Sequence, residues 1–300
     1  MVVVAPGDIH VEDGVLHAPS KFLSGMRMYA KLFPGEVSLL GRPASEPDVE
    51  NLGDTSTSLD ELGFNCRVAA DLDEGLRGLK ADVSLVSLSD DHARLIGVAR
   101  STVVSAEHAA RSWLAMSLAD RHSSIDRLRM EVGYRRLENR LKRIVRLTNG
   151  LHCNGIVAWS AYAGHSPQPL RVYDSRVSRA ILARARASKV PWSGGTLRLG
   201  FSGRLTRIKG PQFAIDLPNL LAARGFEATL DVFGDGPMRA ELDAAAGDRV
   251  RFRGTLEYED EWCSIVADDI DLMVLPHVQP DPSGTYLECA GLGVPVLGFK

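Results

Sequence analysis

Short apolar, β-rich runs alternate with longer helical stretches along the chain, and this rhythm breaks once and restarts. Such alternation is the pattern of a parallel sheet with crossover helices, which confines the chain to an α/β architecture. In the first half the runs are Val2 to Ala5, Glu36 to Leu40, Val83 to Ser87, Thr102 to Ser105 and Leu170 to Asp174. Helices are predicted at Pro19 to Leu32, Ala106 to Leu118, Asp126 to Leu147 and Arg176 to Ala187, with a polar surface excursion at Ser45 to Asp60. A proline and paired glycines in Ser188 to Gly195 interrupt the pattern. The expected division is therefore 1–190 and 195–300, consistent with a length of 300 residues that exceeds one ordinary core.

The second half runs Leu197 to Phe201, helix Gln212 to Arg224, Thr229 to Phe233, helix Met238 to Ala246, Val250 to Phe252, helix Tyr258 to Ala267, Leu272 to Leu275, helix Ser283 to Leu292 and Val294 to Leu297. No tandem repeat is visible. A net charge of −3 carries no polyanion footprint, so nucleic acid is not an expected partner. Cys66, Cys153, Cys263 and Cys289 are far apart and form no C-x-x-C pair, which points away from a zinc site or disulfide framework and toward a reducing, cytoplasmic compartment. The apolar start Met1 to Ala5 is too short for a signal sequence or span and reads as a buried strand.

The chemistry-bearing residues of the second half fall after its strands, where open α/β sheets bind ligands. Arg204 and Lys209 place two cations after the first strand, suited to stabilising a departing diphosphate. Gly234-Asp235-Gly236-Pro237 forms a glycine turn after the second strand, and Arg253 follows the third. Ser283, Gly284 and Thr285 open a helix whose free N–H groups can hold phosphate, and Glu288 lies one turn further on the same face. A dinucleotide fingerprint fails, because Arg239 stands where its third glycine would be.

This ordered set resembles the nucleotide-sugar half of GT-B glycosyltransferases of the retaining, family-four (group 1) type. The resemblance implies two Rossmann-like doubly wound domains, the second incomplete, with roughly the final quarter of a full chain missing. It assigns Arg204 and Lys209 to the diphosphate, Gly234 and Gly236 to the nucleotide turn, Arg253 to the loop beside the base, and Glu288 to the ribose. Asp281 stands nearest the first position of the family's paired carboxylates, one residue closer to Glu288 than usual and an aspartate where glutamate is common. It reads equally as a helix N-cap before Pro282.

In the first half the resemblance is looser. Gly14 matches in position a glycine loop that reaches the donor phosphates, although an ordinary βα turn has the same appearance. His108, after the strand Thr102 to Ser105, matches a histidine near the transferred sugar, or is a partly exposed residue at a helix start. Asn149 to Gly155 and Tyr173 to Arg176 also resemble late segments of that domain. The basic stretch Asp126 to Leu147 interleaves eight cations with aliphatic residues; it either packs an apolar stripe on the sheet or rests on an anionic membrane. Asp71-Leu72-Asp73 and Asp269-Ile270-Asp271 are short strings of the kind that bind metal in another fold. The first reads here as a helix start and the second precedes a strand, so neither is expected to hold a metal.

These readings point to a retaining, metal-independent transferase with no cofactor. It moves sugar from a nucleotide diphosphate to a hydroxyl acceptor, such as a glycan or lipid-linked glycan. The alternatives are a non-catalytic sugar-nucleotide-binding protein and, from the failed fingerprint, less readily a nicotinamide enzyme. The end at Lys300 leads to an expectation of an uncovered sheet edge and self-association.

Overall fold

The structure, a computed structural model, describes residues 1–46, 54–118, 123–188, 192–278 and 284–299. The chain divides into two compact units, one of Met1–Arg111 with Leu128–Val172 and one of Ser112–Arg127 with Tyr173–Lys300.

The first unit contains strands β1 (Val2–Val4), β2 (His10–Glu12), β3 (Val15–Pro19), β4 (Ser38–Gly41), β5 (Asp54–Ser58), β6 (Asn65–Val68), β7 (Val83–Ser87), β8 (Ser101–Ala106), β9 (Gly150–Asn154) and β10 (Pro169–Val172). Seven of these form a parallel sheet in the order β10-β9-β8-β7-β1-β4-β6. Successive side chains of β1 enter opposite cores: Val3 packs with Leu16, Leu23, Met26 and Leu39, whereas Val2 and Val4 pack with Leu40, Leu72, Leu76 and Val86. Burial on both faces explains the unbroken apolar run at Val2 to Ala5. The remaining strands β2, β3 and β5 make a small antiparallel sheet.

That small sheet corrects two expectations. Asp13 and Gly14 both have positive φ and connect β2 to β3 in register, with Glu12 opposite Val15. An Asp-Gly pair with this geometry is a two-residue hairpin turn, so Gly14 is not in a βα turn. The expected surface excursion holds β5, which pairs with β3; residues 47–53 lie outside the described residues.

The second unit has strands β11 (Leu197–Ser202), β12 (Ala228–Phe233), β13 (Val250–Gly254), β14 (Leu272–Val274) and β15 (Val296–Leu297), all parallel, in the order β13-β12-β11-β14-β15. Leu199, Phe201, Leu230, Val232 and Val274 fill one face, and Phe233, Met273 and Leu275 the other. Both sheets are thus doubly wound. The unit begins earlier than the break read at 188–195, because Ile181 and Ala185 of the helix Arg179–Ser188 pack into the core around Phe233, Cys263 and Cys289. Residues 189–191 lie outside the described residues. The single helix expected at Gln212 to Arg224 is instead two, Pro211–Ala214 and Leu217–Ala222. Pro218 has no N–H to continue a helix, and it sits where a first helical turn tolerates it.

Candidate functional site

In the second unit the chain runs outward from β11 through β12 to β13, then returns to the opposite side of β11 as β14. The strand order therefore reverses between β11 and β14, and such a switch point opens a crevice at the strands' carboxyl ends. Arg204 and Lys209 lie in the connection leaving β11. Arg204 is exposed, and Lys209 ends a short turn Arg207–Lys209 that is closed by Gly210 at φ 74°. The Lys209 stem runs close to Gly203, where an added Cβ would lie 3.9 Å from its Cγ and Cδ.

Three neighbouring connections are tied to this one. The Gly234 N–H donates to the Gly254 carbonyl at 2.7 Å, and the Leu205 N–H donates to the Asp235 carbonyl at 2.9 Å. A Cβ on Gly234 would stand 2.2 Å from the Gly203 oxygen, and one on Gly236 would stand 2.9 Å from the Leu205 nitrogen and oxygen. Only glycine permits this closeness, with φ at 113° and 154°. On the other side of the switch point the Val278 N–H donates to the Ile208 carbonyl at 2.9 Å. A Cβ on Gly210 would lie 2.1 Å from the Pro276 oxygen. The connection carrying the two cations is thereby fastened to the one leading from β14 toward the helix Gly284–Gly291.

Gly284 and Thr285 begin that helix as read from the sequence. Asp281 and Ser283 lie outside the described residues. Tyr286 holds the helix against β14, its hydroxyl donating to the Leu275 carbonyl at 2.6 Å, with its ring edge-on to buried His277.

Glu288 is buried, and its carboxylate already has a partner. Arg176 Nε donates to Oε1 at 3.0 Å and Nη2 to Oε2 at 3.5 Å, while the guanidinium lies 3.7 Å from the centre of the Tyr258 ring. Tyr258 stacks on Trp262, whose Nε1 donates to Ser202 Oγ at the end of β11. Sequence reasoning associated Arg176 with family likeness and missed this pairing, because nothing in local spacing brings residue 176 to residue 288. Burial of a carboxylate requires such a partner.

Arg253 is also committed. Its Nη2 donates to Asp231 Oδ2 at 2.9 Å, and Arg251 grips the same carboxylate through Nε and Nη2. Burial raises the Asp231 pKa, but the hydrogen bonds and charges of the two arginines outweigh it and hold the group below the usual carboxylate value. The sequence contained a signal for this pairing: Asp231 is a lone carboxylate in an apolar strand, and Arg251 and Arg253 share one face of the next strand.

In the first unit His108 is half-buried in the bend between β8 and the helix Ala110–Ser117, at the carboxyl end of the sheet as expected. Gly14, at the hairpin tip, is not in a strand-to-helix connection; its carbonyl accepts from the Leu59 N–H at 2.9 Å. Of the two D-x-D strings, Asp71 caps the helix Leu72–Leu79 through the N–H groups of Asp73 and Glu74. In the other, Asp271 is held by Arg198 Nε and Nη2 at 3.1 and 2.8 Å, and Asp269 lies 3.6 Å from the same guanidinium.

Two doubly wound units, the second with glycine turns at its switch point, fit the GT-B fold, and solved structures agree. The chain is similar over 99% of its length to the Anabaena protein HepE in complex with UDP-glucose, covering 79% of that chain at a TM-score of 0.57 and 15% identity. It is similar over the same share to the lipopolysaccharide outer core galactosyltransferase WaaB, covering 80% of that chain at 0.61 and 12%, and to the lipopolysaccharide-biosynthesis glycosyltransferase WaaG, covering 80% at 0.55 and 15%. These likenesses establish the GT-B fold.

Residues 196–300, within the second unit, match the family "Glycosyl transferases group 1". A stretch of 115 residues is 32% identical to the 2-deoxystreptamine glucosyltransferase of Streptomyces kanamyceticus. That stretch is 37% of this chain and spans 29% of the relative's length.

Proposed function

We propose that this protein is a glycosyltransferase that moves a sugar from a nucleotide diphosphate to a hydroxyl acceptor with retention of configuration and without a metal. The observation that carries the reading is the fastening of the Arg204–Lys209 connection to the connection leaving β14 at the switch point. The bond from the sugar's anomeric carbon to the diphosphate breaks, and its electron pair leaves on a phosphate oxygen. Arg204, Lys209 and the helix start stabilise that charge. The acceptor hydroxyl bonds to the anomeric carbon from the same face, and its proton passes to the departing phosphate oxygen. Glu288, oriented by Arg176, would accept from the ribose hydroxyls. The acceptor would be a glycan, a lipid-linked glycan or a smaller polyol.

UDP-glucose and 2-deoxystreptamine, suggested by the Anabaena structure and the Streptomyces relative, are the first donor and acceptor probes. Within a wider panel of nucleotide sugars, an active donor should be turned over in the presence of EDTA. Arg204→Ala and Lys209→Ala should each lower kcat on the order of 10²–10³ with an unchanged melting temperature. Wild-type turnover in both variants would remove the cations from the mechanism. Donor binding without transfer to any acceptor would favour a sugar-nucleotide-binding protein instead.

A further inference from the structure

The small antiparallel sheet of the first unit turns one face to the core and the other outward. Val11, Leu16 and Ala18 pack inward with Leu23 and Leu39, so the alternation of strand residues turns His10, Glu12 and His17 the other way. His10 lies directly opposite His17 in the β2–β3 ladder, and His17 lies opposite Ser56 in the β3–β5 ladder. A row of His10, His17 and Ser56 therefore crosses all three strands on the outward face, with Glu12 two residues along β2 from His10.

Each imidazole has one nitrogen engaged. His10 Nδ1 lies 3.2 Å from the Ala44 carbonyl, which can only accept, so Nδ1 carries a proton and Nε2 is the nitrogen left to bind. His17 Nδ1 lies 3.2 Å from Ser56 Oγ, an oxygen able to accept from it in the same way. Imidazoles that ligate a metal nearly always donate their other N–H to such an acceptor, which fixes the ring. His10 Nε2 is buried, makes no hydrogen bond and stands 3.5 Å from Glu12 Oε2. A hydrogen bond from imidazolium to carboxylate would close to about 2.7–2.9 Å. Two donors on one tetrahedral zinc, each about 2.0–2.1 Å from the ion, stand about 3.3–3.4 Å apart. The ring spacing agrees. A zinc bound through Nε2 lies about 3.2 Å from each ring centre, so a tetrahedral angle sets two centres about 5.2 Å apart and a square-planar right angle about 4.5 Å. The centres of His10 and His17 are 5.1 Å apart.

We propose that His10 and His17 bind a zinc ion across the β2–β3 ladder through their Nε2 atoms, with water completing the tetrahedron. Among the described residues no three His, Cys, Asp or Glu side chains are already set around a metal-sized point, so the two imidazoles carry the site. The Glu12 side chain, 70% exposed, can swing onto the ion or leave its place to water. Of the paired residues in this hairpin, His10 and His17 are the farthest from the Asp13-Gly14 turn. An ion there ties the strands together at the end where a hairpin opens first, and its role is structural. The inference does not rest on the glycosyl-transfer reading, and the ion takes no part in the transfer step, so turnover in EDTA is compatible with it.

Calorimetric titration with zinc chloride tests it, using the whole chain after treatment with EDTA and dialysis. One zinc should bind per chain. His10→Asn and His17→Asn should each weaken binding by about a hundredfold or more, and Ser56→Ala, which removes only the support of His17, by about tenfold. Hydrogen exchange followed by mass spectrometry should show zinc adding protection to the peptide covering His10–Pro19 in the wild type and none in the histidine variants. Circular dichroism reports whether each variant is folded, and because Ser56 is exposed its variant provides the test if a histidine variant unfolds. Absence of zinc binding, unchanged binding in any folded variant, or protection gained elsewhere than in this hairpin would overturn the proposal.

Discussion

Replacing Arg176 with methionine would remove the charge partner of Glu288 while keeping an unbranched stem over Tyr258. The Glu288 side chain is 4% exposed and that of Arg176 is 39% exposed. Breaking a fully buried pair by deleting one member costs about 3–5 kcal/mol, because the other charge is left uncompensated. Solvent already reaches Arg176 and can follow into the vacated space, so the pair's share falls to about 2–3 kcal/mol. Loss of the guanidinium from the Tyr258 face, at 3.7 Å, adds about 0.5–1 kcal/mol. The expected destabilisation is about 3 kcal/mol and is local to the second unit. Glu288→Gln should cost less, about 1 kcal/mol, since its amide oxygen still accepts from the guanidinium, which is partly solvated. Hydrogen exchange followed by mass spectrometry of the peptide covering Gly284–Gly291 gives the local opening free energy, avoiding a two-state assumption for a two-unit chain. Protection within about 0.5 kcal/mol of wild type in Arg176→Met would refute the view that this pair seats the helix.

Gly234→Ala would drive a Cβ to 2.2 Å from the Gly203 oxygen at a φ of 113°, so the connections after β11 and β12 must part. We expect a loss of about 2–4 kcal/mol in urea unfolding, and a nucleotide that raises the wild-type melting temperature should no longer do so. Asp231→Asn should destabilise the second unit by about 1–3 kcal/mol at neutral pH. Because Asp231 has a lower pKa folded than unfolded, its stabilisation is complete above the unfolded value of about 3.9 and fades as pH falls through the folded value. The wild-type and Asp231→Asn unfolding curves should therefore converge in acid below about pH 4; a gap that widens there would reverse the assignment.

Most strands of the two parallel sheets were legible because each is a compact, largely apolar run between helical patterns. The small antiparallel sheet was not read, although Asp13-Gly14 between His10-Val11-Glu12 and Val15-Leu16-His17 is a hairpin signature. A parallel rhythm on either side made the residues look like one connection into the helix Ser20–Leu32. β6 was missed because Asn65-Cys66-Arg67-Val68 sits at the sheet edge and is only partly buried. The cations and glycine turns of the second unit were recognisable from type and order. The partner of Glu288 was not, since an ion pair between residues 176 and 288 follows from loop path, which local spacing does not encode, whereas the lone carboxylate Asp231 in its apolar strand was a signal for Arg251 and Arg253 that went unread.

The strand order explains how segments so distant in sequence converge. β11 and β14 are neighbours because the chain first builds outward to β13 and then returns on the other side of β11. Parallel pairing puts both carboxyl ends at one edge, so the connection bearing Arg204 and Lys209 must start beside the one leaving Leu275. Proximity alone would leave two loose loops. The oxygen of Pro276 against the bare Cα of Gly210, the Val278 to Ile208 hydrogen bond, and the Gly203 oxygen against Gly234 convert that proximity into fixed geometry. Stabilisation of a developing anion depends on charges that need not reorganise as the bond breaks. In the proposed transfer the glycines at these positions serve the cations: without close backbone approach, the attraction of Arg204 and Lys209 for a diphosphate would be offset by the cost of ordering the connection that carries them.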